Sequence, residues 1–190
     1  MRVGVLALQG GFVEHVHALN KLGVSSLEIR SPQDLQTPFD ALILPGGEST
    51  VMGSLLRELD LYYPLMDLIA QGLPVWGTCA GMILLASELE GEVNTHFALM
   101  PITVRRNAFG RQLGSFSSIG MFEGIGEIPM TFIRAPIIHG ADKNVHMLAE
   151  YDGFSVAARY DTMLVTAFHP ELTNDTRVLQ YFLGMTGCRH

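Results

Sequence analysis

Hydrophobic positions along the first half of the chain follow two different periods. Val3 to Leu8 and Ala41 to Leu44 are nearly continuous apolar runs, the pattern of strands buried on both faces of a parallel sheet. Phe12, Val16, Leu19 and Leu22 instead recur at spacings of four and three, which places one apolar stripe on a helix that Gly23 can end. Ser26 to Arg30 reads as a short second strand, and Ser49 to Leu59 and Tyr63 to Ala70 as helices. Pro74 to Thr78 is a further strand, followed by the helical run Met82 to Ala86. Strands alternating with helices in this way predict βαβ units and an open parallel sheet.

After Leu89 the texture changes. Ile102 to Val104, Gln112 to Ser115, Thr131 to Ile133, Val145 to Ala149, Phe154 to Arg159 and Met163 to Phe168 are short strand candidates separated by Gly, Pro, Asn and Asp. They predict an antiparallel or mixed extension of the sheet, closed by a helix from about Asp175 to Leu183. No repeat, low-complexity tract or linker divides the chain, so residues 1–190 are expected to form a single domain. Ligands of open α/β sheets bind beyond the carboxyl ends of the strands. Gln9-Gly10, Pro45-Gly46-Gly47-Glu48, Thr78-Cys79 and His169-Pro170-Glu171 each follow an expected strand, so four loops should converge on one edge.

Composition removes several function classes. The chain is 48% hydrophobic and 16% charged with 20 glycines, which suits a compact α/β domain rich in tight turns. Its net charge of −7 leaves no electrostatic footprint for nucleic acid, and no Lys/Arg cluster is present to meet an anionic membrane. No apolar segment approaches the roughly 20 residues needed to span a bilayer. Met1 to Leu8 lacks a cleavage pattern and reads as the first strand rather than a leader. Two cysteines, Cys79 and Cys188, make no disulfide framework and no metal-ligand spacing, so the reducing cytoplasm is the expected compartment.

Cys79 lies between the apolar run ending at Trp76 and the helical run beginning at Met82, with Gly77 and Gly81 two residues to either side. A residue on such a strand-to-helix turn is exposed at a helix N-terminus, where free amide groups favour thiolate over thiol. A buried structural cysteine would show the same local pattern. The distinction comes from His169, which ends an apolar strand and is biased towards extended geometry by Pro170. Glu171 follows two residues later, on the same side of an extended chain, and could orient the imidazole. Nucleophile, base and orienter would then be Cys79, His169 and Glu171. Gly46-Gly47 supplies a strand-to-helix turn whose amide groups, with that of Ala80, could stabilise an oxyanion. His15 and His17 stand at i and i+2 on a helix and do not share a face, which argues against a metal pair. His96, His139, His146 and His190 have no partner at ligand spacing. Cys188 has no base nearby in sequence and serves as the inert counterpart of Cys79.

The Gly77-Thr78-Cys79-Ala80-Gly81 elbow together with His169-Pro170-Glu171 resembles the class I (triad) glutamine amidotransferases. Leu6-Ala7-Leu8-Gln9-Gly10, Glu14-His15, Leu44 to Thr50, Arg106-Asn107-Ala108-Phe109-Gly110-Arg111-Gln112, Phe132 to Pro136 and Phe168 to Thr173 are similar to the glutaminase subunits of pyridoxal 5'-phosphate synthases. The resemblance implies a three-layer, flavodoxin-like, mostly parallel sheet with helices on both faces, and hydrolysis of L-glutamine to L-glutamate and ammonia without cofactor or metal. It assigns glutamine binding to Gly46, Gly47, Glu48, Arg106, Ile133 and Arg134, with Arg106 preferred over Arg105 because it precedes Asn107. It ties Gln9 to formation of the oxyanion hole. The implied partner is a (β/α)8 synthase subunit in a large hetero-oligomer that receives the ammonia. A triad glutaminase serving another synthase, such as that of the histidine pathway, and a non-catalytic regulatory module are the alternatives. Trp76 departs from the pattern, which leads one to expect a smaller side chain there.

Overall fold

The computed structural model describes residues 1–109 and 114–187. In chain order the first half comprises β1 (Arg2–Leu6), α1 (Phe12–Lys21), β2 (Ser25–Ile29), β3 (Ala41–Leu44), α2 (Ser49–Glu58), α3 (Tyr62–Ala70), β4 (Val75–Thr78) and α4 (Ala80–Leu85). The second half comprises β5 (Ala86–Leu89), β6 (Met100–Arg105), β7 (Ser115–Phe122), β8 (Gly126–Ile133), β9 (Ile137–Ala141), β10 (His146–Tyr151), β11 (Phe154–Tyr160), β12 (Met163–Thr166) and α5 (Arg177–Met185). Single 3-10 turns occupy Asp34–Gln36 and Pro170–Leu172.

Five strands form the parallel half of the sheet in the order β2-β1-β3-β4-β12. From β1 the chain steps one way to β2, then back across β1 to β3 and outward to β4. Because such crossovers are right-handed, α1 and the α2–α3 pair fall on opposite faces. Every residue of β3, β4 and β12 is buried. Side chains alternate between faces along a strand, so both faces are covered at the centre of the sheet. Beyond β12 the sheet continues antiparallel through β11, β10, β7 and β8, with β9 joined to β11 and to β6, and β6 in turn parallel to β5. This is the expected α/β class with its mixed extension.

Local signals act as expected at the helix ends. Gly23 adopts φ +69° after α1, and its amide donates to the Asn20 carbonyl. The helix after Cys79, by contrast, stops at Leu85. Ala86 turns to φ −58°, ψ 134° and pairs with Met100, so the apolar run read as one helix contains a helix and a strand. β9 lies where no strand was expected. Of the segment Gln112 to Ser115, Ser115 begins β7, while Gly110, Arg111 and Gln112 of the Arg106 motif, Cys188 and His190 lie outside the described residues.

The turn between β4 and α4 depends on two glycines. A Cβ at Gly77 would stand 2.5 Å from the Gly81 carbonyl carbon, and one at Gly81 would stand 2.0 Å from the Leu44 carbonyl oxygen. Both contacts are with backbone, which cannot rotate away. Gly81→Ala is therefore expected to destabilise the fold by roughly 1–3 kcal/mol or more, read as a lower urea midpoint. Gly184→Ala is the contrasting control: it lies within α5, has open space around it, and should gain a few tenths to about 1 kcal/mol from helix propensity.

Candidate active site

The carboxyl ends of β1, β3, β4 and β12 lie side by side, and the loops that follow them build the site. In-register pairing of Thr78 with Thr166 brings the ends of β4 and β12 together. The Cys79 amide then donates to the Thr166 carbonyl at 2.7 Å, and the His169 amide to the Thr131 carbonyl of β8 at 2.8 Å. Cys79 and His169 are thus fixed by main chain before their side chains interact.

Cys79 has φ 49° and ψ −101°, a combination that side-chain-bearing residues rarely adopt. Held there by the close approach of β4, α4 and β3, it is the strained element of the site. Its thiol lies 3.8 Å from the Ile133 carbonyl oxygen. Gly46 packs against both reactive side chains. A Cβ at that position would come within 2.3 Å of His169 Cε1 and 3.4 Å of Cys79 Cβ.

His169 Nδ1 donates to Glu171 Oε1 at 2.7 Å. The contact is the expected one, but its geometry differs from the extended chain that predicted it. Pro170–Leu172 forms a 3-10 turn led by proline, and this turn, rather than a strand, folds the carboxylate back onto the imidazole. Burial alone would lower the His169 pKa. Hydrogen bonding to Cys79 and Glu171 and their negative charge outweigh it and raise the value to about 10. Burial likewise favours protonated Glu171, yet His15 and His169 hold its carboxyl below the usual range. The pair therefore exists as imidazolium and carboxylate at neutral pH.

These residues line a cavity of about 400 Å³. Gln9, Gly46, Gly47, Glu48, Cys79, Arg106, Ile133, Arg134, His169 and Glu171 all contribute to its wall, so apart from Ala80 every residue singled out in the sequence meets there. Ala80 is the first residue of α4, where an amide has no acceptor within the helix. Gly11 donates its amide to the Gly46 carbonyl at 2.9 Å, and the Gln9 side chain accepts from the Glu48 amide at 2.8 Å. In a trans peptide the Gly47 N–H points opposite to the Gly46 carbonyl. The Gln9–Gly11 loop thereby sets which way the Gly46-Gly47 peptide faces.

The Glu48 carboxylate caps α2, accepting from the amides of Thr50 at 3.1 Å and Val51 at 2.8 Å. Burial opposes its charge, but these bonds hold its carboxyl below the usual range. Arg106 is paired with Glu92 at 2.7 Å, whereas Arg105 points to Glu90 away from the cavity. Arg134 sits at φ 42° with its amide bonded to the Gly114 carbonyl. Ala108 donates to the Ala135 carbonyl, which ties the Arg106 and Arg134 loops to each other.

One residue at this site was not read from the sequence. His15 is 1% exposed, with Nε2 3.5 Å from Glu171 Oε1 and 3.2 Å from Thr78 Oγ1, and its ring meets Trp76 edge to face. The signal was present: Phe12, His15, Leu19 and Leu22 form a 3-4-3 series, which puts His15 on the buried stripe of α1. His139 and His146 are surface residues beside Glu90 and Glu123. Among the described residues, no helix is long and apolar enough to cross a membrane.

The mostly parallel sheet with helices on both faces and its antiparallel extension is the fold of the glutamine amidotransferases. More particularly, the chain belongs to the SNO glutamine amidotransferase family, whose profile matches residues 5–187. It is 58% identical to pyridoxal 5'-phosphate synthase subunit PdxT of Methanocorpusculum labreanum and 51% identical to that of Streptococcus pneumoniae, covering 97% of both chains in each case. A solved glutamine amidotransferase superimposes with a TM-score of 0.92 at 42% identity, over 97% of this chain and 98% of that one.

Proposed function

We propose that residues 1–190 act as one amidotransferase domain, the glutaminase subunit of a pyridoxal 5'-phosphate synthase, hydrolysing L-glutamine in the cytoplasm and passing the ammonia to a (β/α)8 synthase subunit. The observation that carries this reading is the 2.7 Å His169–Glu171 contact at the wall of the cavity into which the strained Cys79 turn opens. Identities of 58% and 51% over 97% of two chains named as subunits of that synthase support the pathway, and disfavour a glutaminase of the histidine pathway.

The Cys79 sulfur, its proton taken by His169, attacks the carboxamide carbon of glutamine. Charge develops on the amide oxygen, and the amides of Gly47 and Ala80 receive it. The His169 imidazolium protonates the departing ammonia, leaving a γ-glutamyl thioester on Cys79. His169, now neutral, takes a proton from water, which attacks the thioester and releases glutamate and the thiolate. Glu171 holds the ring in one tautomer with Nε2 towards the sulfur. Arg106 or Arg134 meets the substrate carboxylate. Since the Glu48 carboxylate is engaged at the start of α2, main-chain carbonyls of the loops meet the ammonium.

The oxyanion donor at Gly47 turns with the Gly46 carbonyl, which Gly11 holds. Docking of the synthase against the Gln9–Gly11 loop then switches the site on by re-orienting that peptide. The expected result is glutamate release that rises at least about tenfold when the synthase is added, in step with glutamine-dependent formation of pyridoxal 5'-phosphate. Equal rates for the isolated chain and the complex would remove the switch, and no glutaminase activity in either would remove the assignment.

A further inference from the structure

Glu171 stands between two cavities. Glu171 contributes to the wall of the substrate cavity and to that of a second cavity of about 530 Å³ lined by α1, Trp76 and the start of α5, while its carboxylate is buried between them. Such a carboxylate must be held from both sides to keep its hydrogen bond to His169. Among the described residues, however, Oε2 makes no hydrogen bond, so the orientation rests on Oε1. Oε1 accepts a hydrogen bond from His169 Nδ1 at 2.7 Å and lies 3.5 Å from His15 Nε2, an electrostatic contact.

We propose that His15 is a positioning residue of the triad, its Nε2–H anchoring the Glu171 carboxylate from the side of the second cavity so that Oε1 stays aimed at His169. The tautomer follows from the neighbours. A ring-nitrogen lone pair facing a carboxylate oxygen at 3.5 Å would repel it, whereas an N–H attracts it, so Nε2 carries the proton. The hydrogen bond of Nε2 runs to Thr78 Oγ1 at 3.2 Å, with the Glu171 carboxylate alongside at 3.5 Å, and Thr78 is fully buried at the end of β4, immediately before Cys79. His15 therefore links the orienter to the strand of the nucleophile, giving a connected set from Cys79 through His169 and Glu171 to His15 and Thr78. The ring itself is fixed by its edge-to-face packing on Trp76, 5.4 Å between centroids, which gives the large side chain at position 76 a role in the site. Charged groups around His15 are Glu171, His169 and Glu14, with His17, Lys21 and Asp175 on the second cavity's wall. Burial lowers the His15 pKa and the Glu171 charge opposes it; the role assigned here needs only the Nε2–H, which the neutral and the protonated ring both carry.

The inference rests on the glutaminase reading above, and the test separates the two. Glutamine hydrolysis by the complex with its synthase is measured for the wild type, His15→Phe, His15→Gln, Glu171→Gln and the double variant His15→Phe/Glu171→Gln. Phenylalanine keeps the ring against Trp76 without an N–H, and glutamine places an amide N–H where Nε2 was. His15→Phe should lower kcat about 10- to 100-fold with KM changed less than about threefold, and His15→Gln should recover most of the loss. On a Glu171→Gln background, His15→Phe should cost less than about twofold more, because its path runs through the carboxylate. Undiminished kcat in His15→Phe, equal impairment of His15→Gln, or the full loss repeated on the Glu171→Gln background would each overturn the proposal. If His15→Phe does not fold, His15→Gln against His15→Asn decides it, since asparagine cannot reach the Nε2 position; equal rates would refute the role. An inactive wild-type complex would instead refute the glutaminase reading.

Discussion

Cys79→Ala should abolish glutamine hydrolysis by the complex, with a loss of at least about 10⁴-fold in kcat, while leaving the chain folded and able to bind its synthase. The size of the effect follows from the chemistry. Without sulfur there is no thioester, and His169 and Glu171 remain as an ion pair with no nucleophile to serve. The preserved fold follows from the geometry. The side chain is small, and alanine fits the space; the backbone at φ 49°, ψ −101° is as strained for alanine as for cysteine. What holds it there is the contact of Gly77 with Gly81 and of Gly81 with Leu44, and the substitution leaves these unchanged. An unfolding free energy from urea titration within about 1 kcal/mol of the wild type is therefore expected. His169 should respond most, because the hydrogen bond and charge of Cys79 are among the causes that raise its pKa. Glutamine-derived thioester, trapped by acid quench and seen on the Cys79 peptide by mass spectrometry, should appear in the wild type and vanish in the variant. Persistent glutaminase activity in Cys79→Ala would sink the nucleophile assignment outright.

Much of this site was legible because each of its main residues follows a strand. Continuous apolar runs mark buried parallel strands, and in such a sheet their carboxyl ends must lie together, so Gln9, Gly46, Cys79 and His169 could be placed on one edge from the sequence. The second half was less legible. β7, with the sequence Ser115-Phe116-Ser117-Ser118-Ile119-Gly120-Met121-Phe122, exposes Ile119 and Met121 and carries Ser and Gly at positions facing inward, so its alternation is blurred. β5, Ala86-Ser87-Glu88-Leu89, is hidden because Ala86 continues the apolar run of α4 and Ser87 and Glu88 carry no strand pattern. His15 was missed for a different reason. Its neighbour in sequence, His17, does not share its face, and the carboxylate it meets, Glu171, is remote along the chain. A polar residue on a buried stripe must have a partner, and here the partner is a catalytic carboxylate.

Glu171→Gln should lower kcat by up to about 10⁴-fold, by analogy with neutralising the orienting carboxylate of a serine-protease triad. Glutamine is nearly isosteric and can still accept through its carbonyl oxygen from His169 Nδ1, so the loss reports charge more than shape. The same charge links stability to pH, and the sign is fixed by the two shifts. His169 binds its proton more tightly in the folded chain, about 10 against an ordinary 6.5. That contribution is complete below about pH 6.5 and fades as pH rises towards 10. Glu171 is held below its ordinary 4.5, so its contribution is present above that value and fades as pH falls through the lowered one. Wild type should therefore exceed Glu171→Gln in stability most between about pH 4.5 and 6.5, with the gap narrowing on either side. Groups shared by the two proteins cancel in this difference. Urea midpoints at about pH 5.5, 7.5 and 10 measure it directly. On the activity side, His169 in the variant keeps its support from Cys79 but loses that of the carboxylate, so the alkaline limb of kcat should move towards neutrality. A stability gap that widened from pH 6.5 to 10, or an unmoved alkaline limb, would mean that Glu171 does not hold the imidazolium.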